Sequence, residues 1–362
     1  MGSNKTKKII MLLSILIPCL NEEKTIVRAV KNAFDAAQKN KISSFEIIVA
    51  DNGSTDKSIE KIRKQKIASI IQVPTKGYGA TLHWGIIHSK GRFVLYADVD
   101  LSYDFGELKN FLPYISENSK TDLILGSRFK GKILKGAMPF LHRYLGTPIL
   151  TLLINLIYNF STTDCNSGMR MVRRNFYQSL NMKNAGMEWA SELLIRSALV
   201  KAKYIEVPIT LYPDKRGKKP HLSSWADGWR HLKAIILIKP KLLFVVTAIF
   251  IVFGVLFLSF NKLVSLFFIM TAITLFFCAL AAILIKDSLD KNESKISIVL
   301  TKLPLVKIAF ISFSSALIMF FLYPNDYVLV KFLLLNVTLV YCIWVFFLET
   351  IKTHLINKLP AK

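Results

Sequence analysis

Asp98 and Asp100 stand one residue apart at the end of an apolar run, residues 93–97. The run is too short and too rich in β-forming residues for a helix, and it reads as a buried strand. Two carboxylates leaving one strand together repel each other unless a cation lies between them. A hard divalent ion, Mg²⁺ or Mn²⁺, suits one or two carboxylates completed by phosphate oxygens of a substrate. The pair therefore points to a metal–diphosphate site, and capping of a turn is the other reading of the same residues. Asp51 also ends an apolar run, and Lys76-Gly77-Tyr78-Gly79-Ala80 follows a third. If these runs are neighbouring parallel strands, the turns gather on the sheet edge where open α/β sheets bind ligands. Gly77 and Gly79 would let backbone approach a phosphate or sugar; taken alone they would be ordinary turn glycines. The Gly-Lys-Ser/Thr of a P-loop is missing. The first strand leads into Pro18-Cys19-Leu20-Asn21-Glu22 instead of a glycine fingerprint for dinucleotides.

The elements that must position these groups follow one another in a regular rhythm. Strands are expected over residues 9–17, 45–50, 70–73 and 93–97, then over 123–126 and 204–211. A helix is expected after Asn21, which suits a cap, with Glu22 and Glu23 in the first turn. Ile26, Ala29, Val30, Ala33, Phe34 and Ala37 recur at helical spacing and form its buried face. Thr55 or Asp56 caps the next helix, and a third spans about residues 81–89. Strand and helix alternating in this way imply a parallel sheet with right-handed crossovers. Residues 138–160 are long and apolar, but Pro139, Pro148 and Arg143 argue for a helix on the membrane surface or packed on the sheet, not a span. Residues 164–170 read as a polar turn, 188–199 as a helix and 214–221 as a basic loop with Lys215, Arg216, Lys218 and Lys219. Residues 225–238, with Trp225, Trp229, Arg230, His231 and Lys233, suit an amphipathic interfacial helix.

The 362 residues carry a formal net charge of +24, so anionic partners are expected. No zinc, helix-turn-helix or RNA-binding signature accompanies that charge, so nucleic acid is not an expected partner. An anionic membrane surface and phosphorylated substrates account for it better. Four apolar stretches, about 242–260, 263–285, 306–323 and 328–348, each approach the ~20 residues that a bilayer needs. Lys286, Lys291, Lys295 and Lys302, and the tail with Lys352, Lys358 and Lys362, fall on the side of the N-terminal region, which the positive-inside rule makes cytoplasmic. Cys19, Cys165, Cys278 and Cys342 show no metal spacing and read as free thiols in a reducing compartment. The basic start and the short run holding Pro18 look like a first strand, not a signal peptide. The expected organisation is a cytosolic α/β domain over residues 1–222, a juxtamembrane helix over 223–240 and four membrane helices over 241–362.

Taken in order, Ser14-Ile15-Leu16-Ile17-Pro18-Cys19-Leu20-Asn21-Glu22, Asp51-Asn52-Gly53-Ser54-Thr55-Asp56, Lys76-Gly77-Tyr78-Gly79-Ala80 and Asp98-Val99-Asp100 resemble the motif series of family-2 glycosyltransferases with a GT-A fold. Gly126-Ser127-Arg128, residues 164–170 and the trailing apolar stretches make the chain similar to the polyprenyl-phosphate branch, which includes dolichyl-phosphate mannose and glucose synthases and bacterial undecaprenyl-phosphate relatives. The resemblance covers about residues 13–237. It implies a GT-A, Rossmann-like, mostly parallel sheet. It also implies that Pro18, Asn21, Glu22, Asp51, Lys76 and Gly77 hold the nucleotide, and that Asp98 and Asp100 hold Mg²⁺ or Mn²⁺ and the donor diphosphate. Arg128, Arg143 and Arg170 would face phosphates of donor or acceptor, a task suited to a planar guanidinium. Asp98, Asp100, Arg128 and Arg170 are then the expected catalytic residues. Ser102 stands where many relatives carry a metal-assisting glutamine, and Pro220-His221-Leu222-Ser223-Ser224 replaces a Gly-x-Ser-Lys.

The implied reaction moves a hexose, from UDP-glucose in preference to GDP-mannose, to a polyprenyl phosphate at the membrane. A phosphate monoester is mostly dianionic at neutral pH, so it needs no general base. Asp164 is accordingly read as orienting Arg170 or capping a turn. A single displacement inverts the anomeric centre. A homo-oligomer is compatible with the resemblance. A processive polysaccharide synthase would carry Gln-x-x-Arg-Trp, which no tryptophan here supplies. A non-catalytic scaffold would have no need of Asp98, Asp100, Arg128 and Arg170 together.

Overall fold

A computed structural model describes residues 12–116, 118–217, 224–239 and 242–260, with a few positions between 265 and 275. The chain divides into two compact units between Ile235 and Ile236.

The first unit is built on seven strands. They are β1 (Leu13–Cys19), β2 (Phe45–Asp51), β3 (Ser69–Gln72), β4 (Phe93–Tyr96), β5 (Leu123–Ile133), β6 (Arg170–Arg173) and β7 (Tyr204–Leu211), in the order β3-β2-β1-β4-β6-β5-β7. The first four run parallel, with Leu13 opposite both Phe45 and Phe93. β6 lies antiparallel between β4 and β5, so the sheet is mostly parallel. Every residue of β1 is buried, as a central strand covered on both faces requires. Its odd-numbered residues Leu13, Ile15 and Ile17 join the core formed with α1 (Ile26–Lys39) and with Ile62 of α2 (Ser58–Gln65). Leu16 points the other way, against Gly85 of α3 (Tyr78–His88). Further along the chain come α4 (Thr147–Tyr158), α5 (Arg174–Ser179), α6 (Trp189–Leu199) and α7 (Ser224–Ile238).

Several elements depart from the sequence reading. Asn21 does not cap α1: the helix begins five residues later at Ile26, and Asn21 adopts a left-handed φ of 56°. Asp56 does serve α2, accepting from the Ser58 backbone N–H at 2.9 Å. β5 continues past Ser127 and Arg128 to Ile133, because β7 remains beside it across an irregularity between Ser127 and Lys132. The turn expected over residues 164–170 gives its last residue to β6. The 138–160 stretch splits into one π-helical turn (His142–Gly146) and α4, which has Pro148 in its first turn, where its missing N–H costs nothing. α4 buries Leu150, Ile154 and Tyr158 and leaves Ile149, Leu152 and Leu156 exposed, in line with exposed Phe140, Leu141, Tyr144 and Leu145.

In the second unit α8 covers Leu242–Phe257, with Phe250, Phe253 and Phe257 packed around Phe268. Among the described residues no helix is long and apolar enough to cross a membrane. The expected stretches 306–323 and 328–348, and most of 263–285, lie outside the described residues.

Candidate functional site

The parallel strands β1, β2 and β4 deliver their C-terminal turns to one edge, as the sequence pattern required. The turn after β1 and the turn after β2 hold each other. Asn21 donates its backbone N–H to Ser54 Oγ (2.9 Å), and its side-chain oxygen accepts from the Thr55 N–H (2.7 Å) and the Asp56 N–H (3.3 Å). Glu22 N–H donates to Ser58 Oγ (2.7 Å). Asp51 is buried, and its carboxylate accepts from the Ser54 N–H (3.0 Å). Asn52 ties this pair to the glycine turn: its Oδ1 accepts from the Gly77 N–H (2.9 Å) and its carbonyl from Lys76 Nζ (2.7 Å). Gly77 has φ +129°, and a Cβ there would lie 2.3 Å from the Ala185 carbonyl oxygen, so the turn needs a glycine. Asn21, Glu22, Asp51, Lys76 and Gly77 thus lie on one connected rim, and Pro18 lies within β1 opposite Ala50.

Asp98 and Asp100 are each fixed by a hydroxyl. Tyr78 OH donates to Asp98 Oδ1 (2.8 Å). Ser102 donates to Asp100 Oδ1 through both its N–H (2.9 Å) and its Oγ (2.5 Å). Ser102 therefore orients the metal-ligand candidate from behind, in the manner of outer-shell partners that aim ligating carboxylates. Burial, and then the charge of Asp100, push the Asp98 carboxyl up from 3.8 to about 7; the Tyr78 hydrogen bond, Arg216 and Arg128 pull against that rise. Tyr78 is raised well above 10 by burial and by Asp98 itself, so it remains a donor. A divalent cation fits here. The donors are all oxygen, one oxygen of each carboxylate is held by a hydroxyl, and positive charge would relieve the repulsion between them. Among the described residues no three His, Cys, Asp or Glu side chains cluster as a metal cage. The pair would leave the other coordination positions to phosphate and water, as Mg²⁺ prefers.

Arg128 and Arg170 are both buried but have different partners. Arg128 forms a two-point pair with buried Asp164, Nε to Oδ2 at 2.7 Å and Nη2 to Oδ1 at 2.6 Å. Burial works against the Arg128 charge, but Asp164 more than offsets it and holds the guanidinium firmly ionised. Asp164 therefore orients Arg128, not Arg170. Arg128 is near enough to act electrostatically on both Asp98 and His142. Arg170 lies wholly inside, donating to the carbonyls of Ala190 (3.0 Å) and Cys165 (2.6 Å). Its geometry is that of a strut between α6 and the 164–169 turn, and the expected phosphate-facing position is not where the chain places it. Arg143 sits half-buried on the π-helical turn, 5.4 Å over the Tyr144 ring.

Arg216 joins the candidate site although its sequence context did not single it out. It looked like one member of a solvated basic run. It reaches Asp100 Oδ2 (3.1 Å), Glu22 Oε1 (3.5 Å) and Asp214 Oδ2 (2.7 Å). Asp100 follows β4 and Glu22 follows β1, while Arg216 follows β7, so sequence spacing does not report these pairs.

The chain is similar to known proteins. A low-salt glycan biosynthesis hexosyltransferase from Haloferax volcanii is 34% identical over 232 residues, 64% of this chain and 55% of that protein. The match thus spans little more than half the length of that relative. A dolichyl-phosphate beta-glucosyltransferase from Trichomonas vaginalis is 24% identical, covering 54% of this chain and 64% of its own. Among solved structures, glucosyl-3-phosphoglycerate synthase from Mycobacterium tuberculosis is 17% identical, covering 62% of this chain and 78% of that chain with a TM-score of 0.49. Residues 14–180 match the model of the family described as Glycosyl transferase family 2. Those residues carry the paired carboxylates and the rim around them, so the similarity to glycosyl transferase family 2 falls on the candidate site.

Proposed function

We propose that the protein transfers a hexose from a nucleotide sugar to a polyprenyl phosphate at a membrane surface, with inversion and with Mg²⁺ or Mn²⁺. The observation that carries this reading is the Asp98/Asp100 pair, each carboxylate aimed by its own hydroxyl on the edge where the Asn21, Asp51 and Gly77 turns meet. Those turns offer a nucleoside an edge of buried carboxylate and backbone. A divalent ion on Asp98 and Asp100 supplies charge to stabilise the departing diphosphate. Arg128, kept charged by Asp164, adds fixed positive potential beside it. No residue is needed as a base, and Asp164, bound at both oxygens, is not free to be one.

The lipid acceptor is supported by the resemblance of the motif series to polyprenyl-phosphate enzymes and by the named activity of the Trichomonas relative. It is also supported by the exposed apolar face of α4 beside Arg143, which suits an acyl–headgroup boundary. In this reading residues 1–222 are the catalytic domain, 223–240 a juxtamembrane helix and 241–362 the membrane domain, with catalytic domain and C-terminus cytoplasmic. UDP-glucose is the expected donor and GDP-mannose the alternative; a homo-oligomer is compatible with both.

The test incubates the full chain in detergent with undecaprenyl phosphate, Mg²⁺ or Mn²⁺, and radiolabelled nucleotide sugars. Label from one donor should enter the organic phase and be abolished by EDTA and by Asp100→Ala. Folded protein that moves no label from any donor would overturn the proposal.

A further inference from the structure

The loop after β7 is stitched onto the metal-ligand candidates. Tyr212 N–H donates to the Ser102 carbonyl (2.9 Å), and Lys215 N–H donates to the Asp100 carbonyl (3.1 Å). Pro213, Asp214, Lys215 and Gly217 are exposed, and only the Arg216 side chain is tucked inward, with 14% of it exposed. Its guanidinium meets three carboxylates, of Asp100, Glu22 and Asp214. Two of those, Glu22 and Asp100, are buried, and Asp98 is near enough to feel the Arg216 charge. Arg216 therefore supplies the positive charge that this edge needs when no other cation is there. The contact is also of a releasable kind. It is single-point at Asp100 and long at Glu22, unlike the two-point Arg128–Asp164 pair, and Gly217 follows it at φ +66°.

We propose that Arg216 is an exchangeable occupant of the cation position. It holds Asp100 Oδ2 in the cation-free protein and gives that oxygen up when a divalent ion arrives. The released guanidinium, carried on its exposed loop beside Lys215, then turns to a phosphate of the bound ligand. The inference rests on the metal reading of Asp98 and Asp100. Its logic is repulsion: a guanidinium and a divalent ion drawn to the same carboxylate oxygen carry like charge at close range. Cation binding and the Arg216–Asp100 pair are therefore competitors, and removing one favours the other by the same free energy.

The experiment titrates Mn²⁺ alone into the full chain in detergent, following free Mn²⁺ by electron paramagnetic resonance, for wild type, Arg216→Gln, Arg216→Lys and Asp100→Ala. Arg216→Gln should bind Mn²⁺ about fivefold or more tightly than wild type, the low end of ordinary coupling between sites. Arg216→Lys should fall between them, and Asp100→Ala should bind least. In wild type, Mn²⁺ should open the loop to trypsin at Lys215 and Arg216. Equal or weaker Mn²⁺ binding in Arg216→Gln, with an unchanged melting temperature, would overturn this inference and leave the metal site standing. Absence of Mn²⁺ binding in all four proteins would overturn the inference and the metal reading together.

Discussion

The Arg128 guanidinium grips the Asp164 carboxylate at both oxygens, 2.7 and 2.6 Å, while the Arg128 backbone N–H donates to the same carboxylate at 3.0 Å. Both groups are buried, so neither charge has water to fall back on. Breaking such a pair from one side leaves an uncompensated buried charge and typically costs about 3–5 kcal/mol, whereas replacing both by apolar groups is often near neutral. Arg128→Ala and Asp164→Ala should each lower stability by about that amount. The double variant Arg128→Met/Asp164→Leu should regain most of it without regaining transfer. Chemical denaturation followed by tryptophan fluorescence, beside the lipid-extraction assay, separates the two effects.

Ser102 spends both its N–H and its hydroxyl on Asp100 Oδ1. Ser102→Ala removes the hydroxyl bond and keeps the backbone one. A hydrogen bond to a charged group contributes about 1.5–3 kcal/mol, so loss of a like amount from metal binding should raise the Mn²⁺ concentration giving half-maximal activity roughly tenfold or more. Asp100→Asn should abolish metal-dependent transfer at any Mn²⁺ concentration.

The gathering of polar turns at the ends of β1, β2 and β4 was legible because each turn interrupts an apolar run, and that contrast survives in one dimension. Asp51, Asp98, Asp100 and the Gly77 turn were found this way. β6 was not, because Arg170 and Arg173 flank its two apolar residues and buried arginines look like surface ones until their carbonyl partners are known. Asn21 read as a helix cap because asparagine favours caps. Its actual task, satisfying N–H groups of the next turn from a left-handed backbone, is set by a segment more than thirty residues away. Arg216 was masked by its neighbours Lys215, Lys218 and Lys219, and its carboxylate partners come from β1's and β4's turns.

Asn21 separates conformation from hydrogen bonding. Asn21→Gly keeps the left-handed backbone and loses the side-chain acceptor; Asn21→Ala loses both. Alanine should therefore be less stable than glycine by about 1–2 kcal/mol, the cost of a left-handed Cβ. Both variants should weaken binding of the nucleoside diphosphate, measured by calorimetry, because Thr55 and Asp56 lose their anchor.

His231 in α7 shares a hydrogen bond with Ser191 Oγ (2.8 Å). Burial, aided by the charges of Arg170 and Arg230, lowers its pKa from 6.5 to about 4. Between those values the unfolded chain holds the proton and the folded chain does not, so this group's contribution is present above about pH 6.5 and is lost as pH falls toward 4. The full difference is about 3 kcal/mol. Asp98 acts in the opposite sense: its raised pKa means the folded state keeps the proton, so stability falls as pH rises from about 4 to about 7. The wild-type curve mixes both slopes. Subtracting the curve of His231→Asn isolates the histidine, and the difference should change by about 2–3 kcal/mol between pH 7.5 and pH 4.5, with wild type the loser at acid pH.

Gly168 offers the most direct probe of Asp98. A Cβ at Gly168 would lie 2.1 Å from Asp98 Oδ2 and 2.9 Å from Tyr103 Cε2, while the Gly168 N–H is held by Tyr103 OH at 2.8 Å. The backbone on this side is fixed, so the carboxylate must be the group that moves. Gly168→Ala should therefore cost about 1–3 kcal/mol in stability, the usual range for overpacking, yet reduce transfer far more, about a hundredfold, because a misplacement near 1 Å is enough for such a loss. Gly228, in α7, has nothing within 4 Å of its missing Cβ. Gly228→Ala should leave transfer unchanged and raise stability slightly, as alanine does in a helix. Equal activity losses in the two variants would mean that Asp98 is not the carboxylate on which the reaction depends.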